Sequence, residues 1–305
     1  MGQITSSIAK RRAEELGEDV WEHFVIPFFF EKLDFYNSTM SKVIIGGRGY
    51  GKTMLLRYLT HTSSLSRRRK QVPDDIIKHV GLYWRTDMQF CSGMAGRGLE
   101  PEIWRDAFEH FLAITVGIEL LKSLESLALS SWPSFDESSL NHLNFSELSD
   151  YDPRLGSSYK DLRLELERKE REFELWVRNV RKVAEPIFLP GTKFIDSLIH
   201  ILQKSSVALK DICFFVYIDE YENLMEEQQK VINTWIKFSK RPLIINLAMK
   251  RNAMTTNETV RSEYISGEHD YTPIDLDSEL YKDHEGATTT LFETFAGEII
   301  LSDFH

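Results

Sequence analysis

Val43-Ile44-Ile45-Gly46-Gly47-Arg48-Gly49-Tyr50-Gly51-Lys52-Thr53-Met54 is the stretch on which the fold turns. Three apolar residues predict a short buried strand. The next eight match G-x-x-x-x-G-K-[ST], and Met54-Leu55-Leu56-Arg57-Tyr58-Leu59 predicts a helix. Such a turn binds phosphate for a physical reason. Glycines let the backbone wrap close to an anion, and a row of N–H groups at a helix N-terminus receives it. Gly46, Gly47, Arg48, Gly49, Tyr50, Gly51, Lys52, Thr53 and Met54 are therefore the candidate phosphate-binding residues. In this motif Lys52 reaches the β- and γ-phosphates, and the Thr53 hydroxyl ligates Mg²⁺. The pattern alone also arises by accident in Gly-rich turns. The flanking strand and helix remove most accidents.

A second run answers the first. Ile212-Cys213-Phe214-Phe215-Val216-Tyr217-Ile218 is continuously apolar and ends in Asp219-Glu220. A run of that kind suits a parallel strand buried on both faces. A carboxylate at its C-terminal end lies where open α/β sheets bind ligands. Asp219 becomes the second candidate metal residue beside Thr53, holding Mg²⁺ through water. Glu220 becomes the candidate base that orients an attacking water, with Lys52 as the other catalytic candidate. The bland alternative is a solvated strand end before a helix N-terminus, where acids sit comfortably. Pairing with Lys52 and Thr53 favours the functional one.

The 305 residues suffice for one large domain or two small ones. Acids outnumber bases 47 to 37, for a formal charge of -10. That balance argues against a surface coated for nucleic acid, although Arg67-Arg68-Arg69-Lys70 is a local basic cluster. Such a cluster is more often a solvated loop. Two cysteines, Cys91 and Cys213, are too few for a disulfide framework and fit a reducing cytoplasm. No run is long and apolar enough to predict a membrane span. The opening Met1-Gly2-Gln3-Ile4-Thr5-Ser6, followed by Lys10-Arg11-Arg12, matches a myristoylation pattern that we read as coincidence.

Along the chain, Thr5 to Phe30 predicts a helix, with Phe24 to Phe30 as a docking segment interrupted by Pro27. His79 to Trp84 predicts a second strand leading into Arg85-Thr86-Asp87. Pro101 to Leu129 predicts a long helix opened by its proline. Ser130 to Ser158 reads as a loose polar connection. Tyr159 to Ala184 carries alternating charges at helical spacing, which suits a solvent-exposed arm or coiled-coil hairpin as well as plain architecture. A helical insertion of about 100 to 210 thus separates the second strand from the strand ending in Asp219. Glu226 to Ser239 predicts a helix, Pro242 to Ala248 a buried strand and Ile274 to Asp277 a last strand. Arg251 and Asn252, just past the strand at 242 to 248, are candidate γ-phosphate sensors. His269 and Asp270 are two side chains with no third ligand, so a structural hydrogen bond is the assignment.

The motif at Gly46 to Thr53 with Met54 to Leu59, and Ile218-Asp219-Glu220-Tyr221-Glu222-Asn223-Leu224 with Gln228, Gln229 and Asn233, resemble AAA-type P-loop ATPases related to the origin-recognition-complex ATPases, including bacterial ones of antiviral defence systems. The likeness spans roughly Ser41 to Asp277, with the insertion poorly matched. It implies an α/β P-loop NTPase fold with a parallel sheet in the order 5-1-4-3-2, ATP and Mg²⁺ as ligands, homo-oligomer formation and a protein effector partner. Residues 1–40 then form an N-terminal helical segment, 41–277 the ATPase core, and 278–305 the start of a lid or C-terminal segment. Only 28 residues (305 minus 277) follow Asp277, fewer than a full lid requires, so a fragment or a partner-completed site is expected. The resemblance implies a helical lid carrying a further arginine; for an arginine finger acting in trans, Arg251 and Arg261 are the candidates.

Two functions compete: an Mg²⁺-dependent ATPase, and a nucleotide-gated scaffold with little turnover. A GTPase would carry Asn-Lys-x-Asp and an ABC-type ATPase a Leu-Ser-Gly-Gly-Gln signature; neither occurs.

Overall fold

The computed structural model describes residues 24–27 and 29–281. Its five strands are β1 (Ser41–Ile45), β2 (His79–Arg85), β3 (Cys213–Asp219), β4 (Leu243–Met249) and β5 (Tyr271–Asp275). All pair in parallel, in the order β2-β3-β4-β1-β5. This is the expected 5-1-4-3-2 sheet read from the other edge. The last strand ends two residues earlier than expected, because the Asp275 carboxylate caps the following helix by accepting from the Asp277 and Ser278 N–H groups.

β3 and β4 are buried along their whole length, as continuous apolar runs must be when both sheet faces are covered. The two faces separate cleanly. Ile44, Phe215, Tyr217, Ile244 and Ala248 pack with Leu55, Leu56 and Leu59 of helix α1 (Lys52–Leu59). Val43, Phe214, Val216, Ile218, Ile245 and Leu247 face the other way. There they meet α2 (Pro101–Leu129), α4 (Gly191–Ser205) and α5 (Glu226–Lys237). Gly81 in β2 admits the end of α1: a Cβ there would lie 2.2 Å from the Leu59 carbonyl oxygen.

Between α2 and α4 runs α3 (Tyr159–Arg178). It does not project as an arm. Leu162, Leu166, Phe173, Trp176 and Val177 form a stripe buried in the same core as α2 and α4, while its charges pair on the outer side. The helix stops at Arg178, short of the expected Ala184. Residues 130–158 are likewise more ordered than their polarity predicts. They hold a helical turn at Glu137–Asn141 and bury Phe135, Leu140, Phe145 and Leu148. Their Ser, Asp and Asn residues cap turns, as where Asp136 accepts from the Ser139 N–H. One buried ion pair fastens this segment to α3: Lys169 to Asp152, with Arg154 bonding the same carboxylate.

The segment at 24–30 turns inward onto its own chain. Phe24 stacks on Tyr58 of α1 at 4.3 Å, and Phe29 and Phe30 are buried. Residues 24–27 are not helical, so the expected helix does not reach Phe30. The rest of that helix, the myristoylation pattern and nearly all of the 278–305 segment lie outside the described residues. α6 (Leu276–Tyr281) opens the latter.

Candidate nucleotide-binding site

β1 delivers the chain to Gly46 at the C-terminal edge of the sheet, and α1 leaves it at Lys52. The turn between needs backbone that other residues resist. Gly49 has φ +90 and Gly51 φ +77, and no atom lies within 4 Å of where a Cβ on either would sit. At these two positions the loop borders open space. No side chain caps the N-terminus of α1, whose first N–H groups have no partner within the helix. The Lys52 ammonium donates to the Gly46 carbonyl at 2.7 Å and to Gly47 at 2.8 Å. Burial draws this ammonium below the usual lysine range, opposed by the nearby carboxylates of Glu222, Asp219 and Asp277.

β3 lies two strands from β1, so β4 separates the loop from the strand end that must complete the site. The gap is closed by side chains. Thr53 Oγ1 donates to Asp219 Oδ2 at 2.7 Å, and Tyr83 of β2 donates to the same oxygen at 2.9 Å. The Glu220 N–H donates to Asp219 Oδ1 at 2.9 Å. Asp219 is 1% exposed, so every oxygen of this carboxylate is spoken for. Tyr83 keeps its proton: burial, then the Asp219 charge, push its hydroxyl well above the ordinary tyrosine range.

Glu220 stands in the left-handed region at φ 57, an unfavourable place for a residue with a Cβ. Its own backbone contacts hold it there: Thr86 Oγ1 donates to the Glu220 carbonyl at 2.7 Å, and the Asn223 N–H does so at 2.9 Å. Both carboxylate oxygens are engaged. Arg85 bonds Oε1 at 2.9 Å, and Asn223 Nδ2 donates to Oε2 at 3.1 Å. The Arg85 hydrogen bond holds the Glu220 carboxyl below the usual range. In this arrangement Glu220 is a clasped carboxylate rather than a free base.

The third side of the site comes from the ends of β4 and β5. Lys250 pairs with Glu222 at 3.0 Å. Arg251 bonds the carboxylates of Asp275 and Asp277, each at 2.9 Å, and Asp277 accepts from the Gly47 N–H at 3.1 Å. Arg251 is thus brought to the rim of the loop, held by two acids. Asn252 occupies a left-handed turn position on the exposed surface. Arg261 is exposed in a loop tied to α5, where the Val260 N–H donates to Thr234, and is not brought to the loop. Asp270 accepts from the Ser266 N–H, the structural role expected of it, and His269 is exposed.

Among the described residues no group of three or more His, Cys, Asp or Glu side chains could hold a metal unaided. Thr53 and Asp219 supply two converging hard oxygens. That fits Mg²⁺, which takes one or two protein oxygens and fills its octahedron with phosphate and water. Sequence reasoning missed Tyr83, Asn223 and Asp277. Tyr83 did carry a signal, a hydroxyl within a strand that runs to the ligand edge of the sheet.

A family model for ORC-CDC6-like proteins matches residues 6–305. The chain belongs to the ORC-CDC6-like family. Membership in it makes this an AAA-type, nucleotide-binding P-loop protein, in agreement with the sheet order and the loop geometry. No curated protein matches the chain. No helix among the described residues is long and apolar enough to cross a membrane.

Proposed function

We propose that this ORC-CDC6-like protein binds ATP with Mg²⁺, hydrolyses it, and couples its nucleotide state to assembly with a partner. The observation that carries the proposal is the 2.7 Å contact between Thr53 and Asp219, which joins the glycine loop to the end of β3. Lys52 and the N–H groups from Gly47 to Thr53 would bind the phosphates. Thr53 and Asp219 would hold the metal, whose positive charge neutralises phosphate oxygens when bound. Glu220 would orient water once released from its clasp. Positioning and charge neutralisation carry most of phosphoryl transfer, so this set of residues is sufficient in kind. The bacterial ATPases that the two motifs resemble support a cytoplasmic role in antiviral defence, with a homo-oligomer and a protein effector as partners.

One observation favours the second function, a nucleotide-gated scaffold with little turnover: Arg85 and Asn223 engage both oxygens of Glu220. Hydrolysis assays on the wild type and Glu220→Gln, with sizing of both proteins with and without Mg²⁺-ATP, separate the two. Turnover that disappears in Glu220→Gln establishes the ATPase. ATP-dependent assembly of both proteins without turnover establishes the scaffold. Absence of nucleotide binding by the wild type sinks both.

A further inference from the structure

Resting on the nucleotide-binding function above, we propose that Tyr83 is a positioning residue that orients Asp219 for the metal. Three facts converge on one carboxylate. Asp219 Oδ2 accepts from Thr53 at 2.7 Å and from Tyr83 at 2.9 Å. The other oxygen, Oδ1, accepts from the Glu220 N–H at 2.9 Å. Rotation of the carboxylate therefore breaks a bond at each end. The phenol in turn is held from the side. The Arg57 guanidinium lies 5.6 Å from the Tyr83 ring centre. Arg57 follows Thr53 by four residues, one helical turn, so α1 presents Thr53 to the carboxylate and Arg57 to the ring that steers it. The hydroxyl reaches Asp219 from the neighbouring strand, because Tyr83 lies two residues before Arg85, the register partner of Asp219, and side chains alternate faces.

Chemistry gives this contact a purpose beyond packing. Mg²⁺ demands near-ideal octahedral geometry at about 2.0–2.1 Å, so a carboxylate free to rotate is a poor ligand. Thr53 alone leaves Oδ2 with one fixed donor, on the helix that must itself receive phosphate. Tyr83 supplies a second donor to the same oxygen, from β2 of the sheet rather than from the helix that follows the loop. Outer hydrogen-bond partners of metal ligands typically contribute about 10- to 100-fold in metal affinity. The ring also fills space beside Tyr217 and Phe215 on this face of the sheet, and phenylalanine retains that packing.

The test is Tyr83→Phe in the full chain. Mn²⁺ stands in for Mg²⁺ because its uptake is read directly by electron paramagnetic resonance. Titrations of Mn²⁺ with ADP present give metal affinity, and ADP titrations in EDTA give nucleotide affinity without metal. The expected result is Mn²⁺ affinity about tenfold weaker in Tyr83→Phe, with ADP affinity in EDTA and the melting temperature at wild-type values. Equal or tighter Mn²⁺ binding by the variant overturns the proposal and leaves the nucleotide-binding function intact. Parallel loss of Mn²⁺ binding, metal-free ADP binding and melting temperature also overturns it, by showing a merely structural role. Should the variant fold poorly, Tyr83→Leu serves in its place: it keeps an apolar side chain no larger than the ring and offers no donor, with the same outcomes. A wild-type protein that binds neither ADP nor Mn²⁺ overturns both proposals together.

Discussion

Replacing Asp152 with alanine tests whether the helical insertion is architecture. Lys169 of α3 is 2% exposed and Asp152 1%. Removal of the carboxylate leaves an ammonium buried with no counter-charge, which typically costs about 3–5 kcal/mol. The reverse substitution is gentler. In Lys169→Met the carboxylate keeps Arg154, whose N–H donates at 2.9 Å and whose Nη2 donates at 3.1 Å. Arg154 is itself partly open to water, so the remaining pair costs little to keep. We expect Lys169→Met to cost about 1.5–3 kcal/mol, the worth of a lost hydrogen bond to a charged group. The double variant should fall well short of the sum, because the stranded cation is gone. A domain of this kind is stable by only about 5–15 kcal/mol, so the asymmetry is large enough to measure. Urea unfolding followed by circular dichroism at pH 7 gives the three values, with Asp152→Asn in reserve if the alanine variant does not fold. The same pair sets a pH dependence. Burial raises the Asp152 carboxyl, but hydrogen bonds from Arg154 and Lys169 outweigh it and hold the group well below the ordinary range. A depressed carboxyl contributes stability that is present above its unfolded value, near 3.9, and is lost as pH falls below about 5. Asp152→Ala should therefore flatten the acid limb of the stability curve. Asp152→Ala within about 1 kcal/mol of wild type, or Lys169→Met as costly as Asp152→Ala, would refute the reasoning.

Other outcomes follow from single contacts. Gly81→Ala should cost at least about 3 kcal/mol, read as a lowered melting temperature or insolubility, because the obstructing atoms are backbone of Leu59 and Thr60 and cannot give. Arg85→Ala should free Oε1 of Glu220, with Asn223 still on Oε2, and raise ATP turnover by no more than about fivefold, since the pair is 43% and 35% exposed and such pairs contribute under about 1 kcal/mol; unchanged or lower turnover at equal nucleotide affinity contradicts the clasp. Both thiols are buried, and burial pushes Cys91 up to about 12, so a thiol reagent should count none in the native protein and two after denaturation.

Much of the nucleotide site is legible in the amino-acid sequence. The glycines at 49 and 51 announce left-handed backbone, and the apolar run ending at Asp219 announces a buried strand. Which groups meet at the site is not legible there. Tyr83 and Asp219 are 136 residues apart in sequence. Asp277 reaches Gly47 across 230. The insertion is ambiguous for a related reason. The stripe of Leu162, Leu166, Phe173 and Trp176 has the same spacing whether it covers the chain's own core or a partner, and only the position of α2 and α4 decides between them.

The sequence by itself determined the strand, loop and helix that make the phosphate cradle, and the acid at the end of β3. Those features are local: they depend on glycine conformations, side-chain periodicity and strand length, all set within a dozen residues. Only the tertiary structure decided that Thr53 and Tyr83 share one oxygen of Asp219, that Arg85 and Asn223 clasp Glu220, and that Asp275 and Asp277 engage Arg251. Parallel strands require long crossovers, so residues that meet at the sheet edge are far apart along the chain, and their meeting is fixed by register and packing rather than by neighbours in sequence.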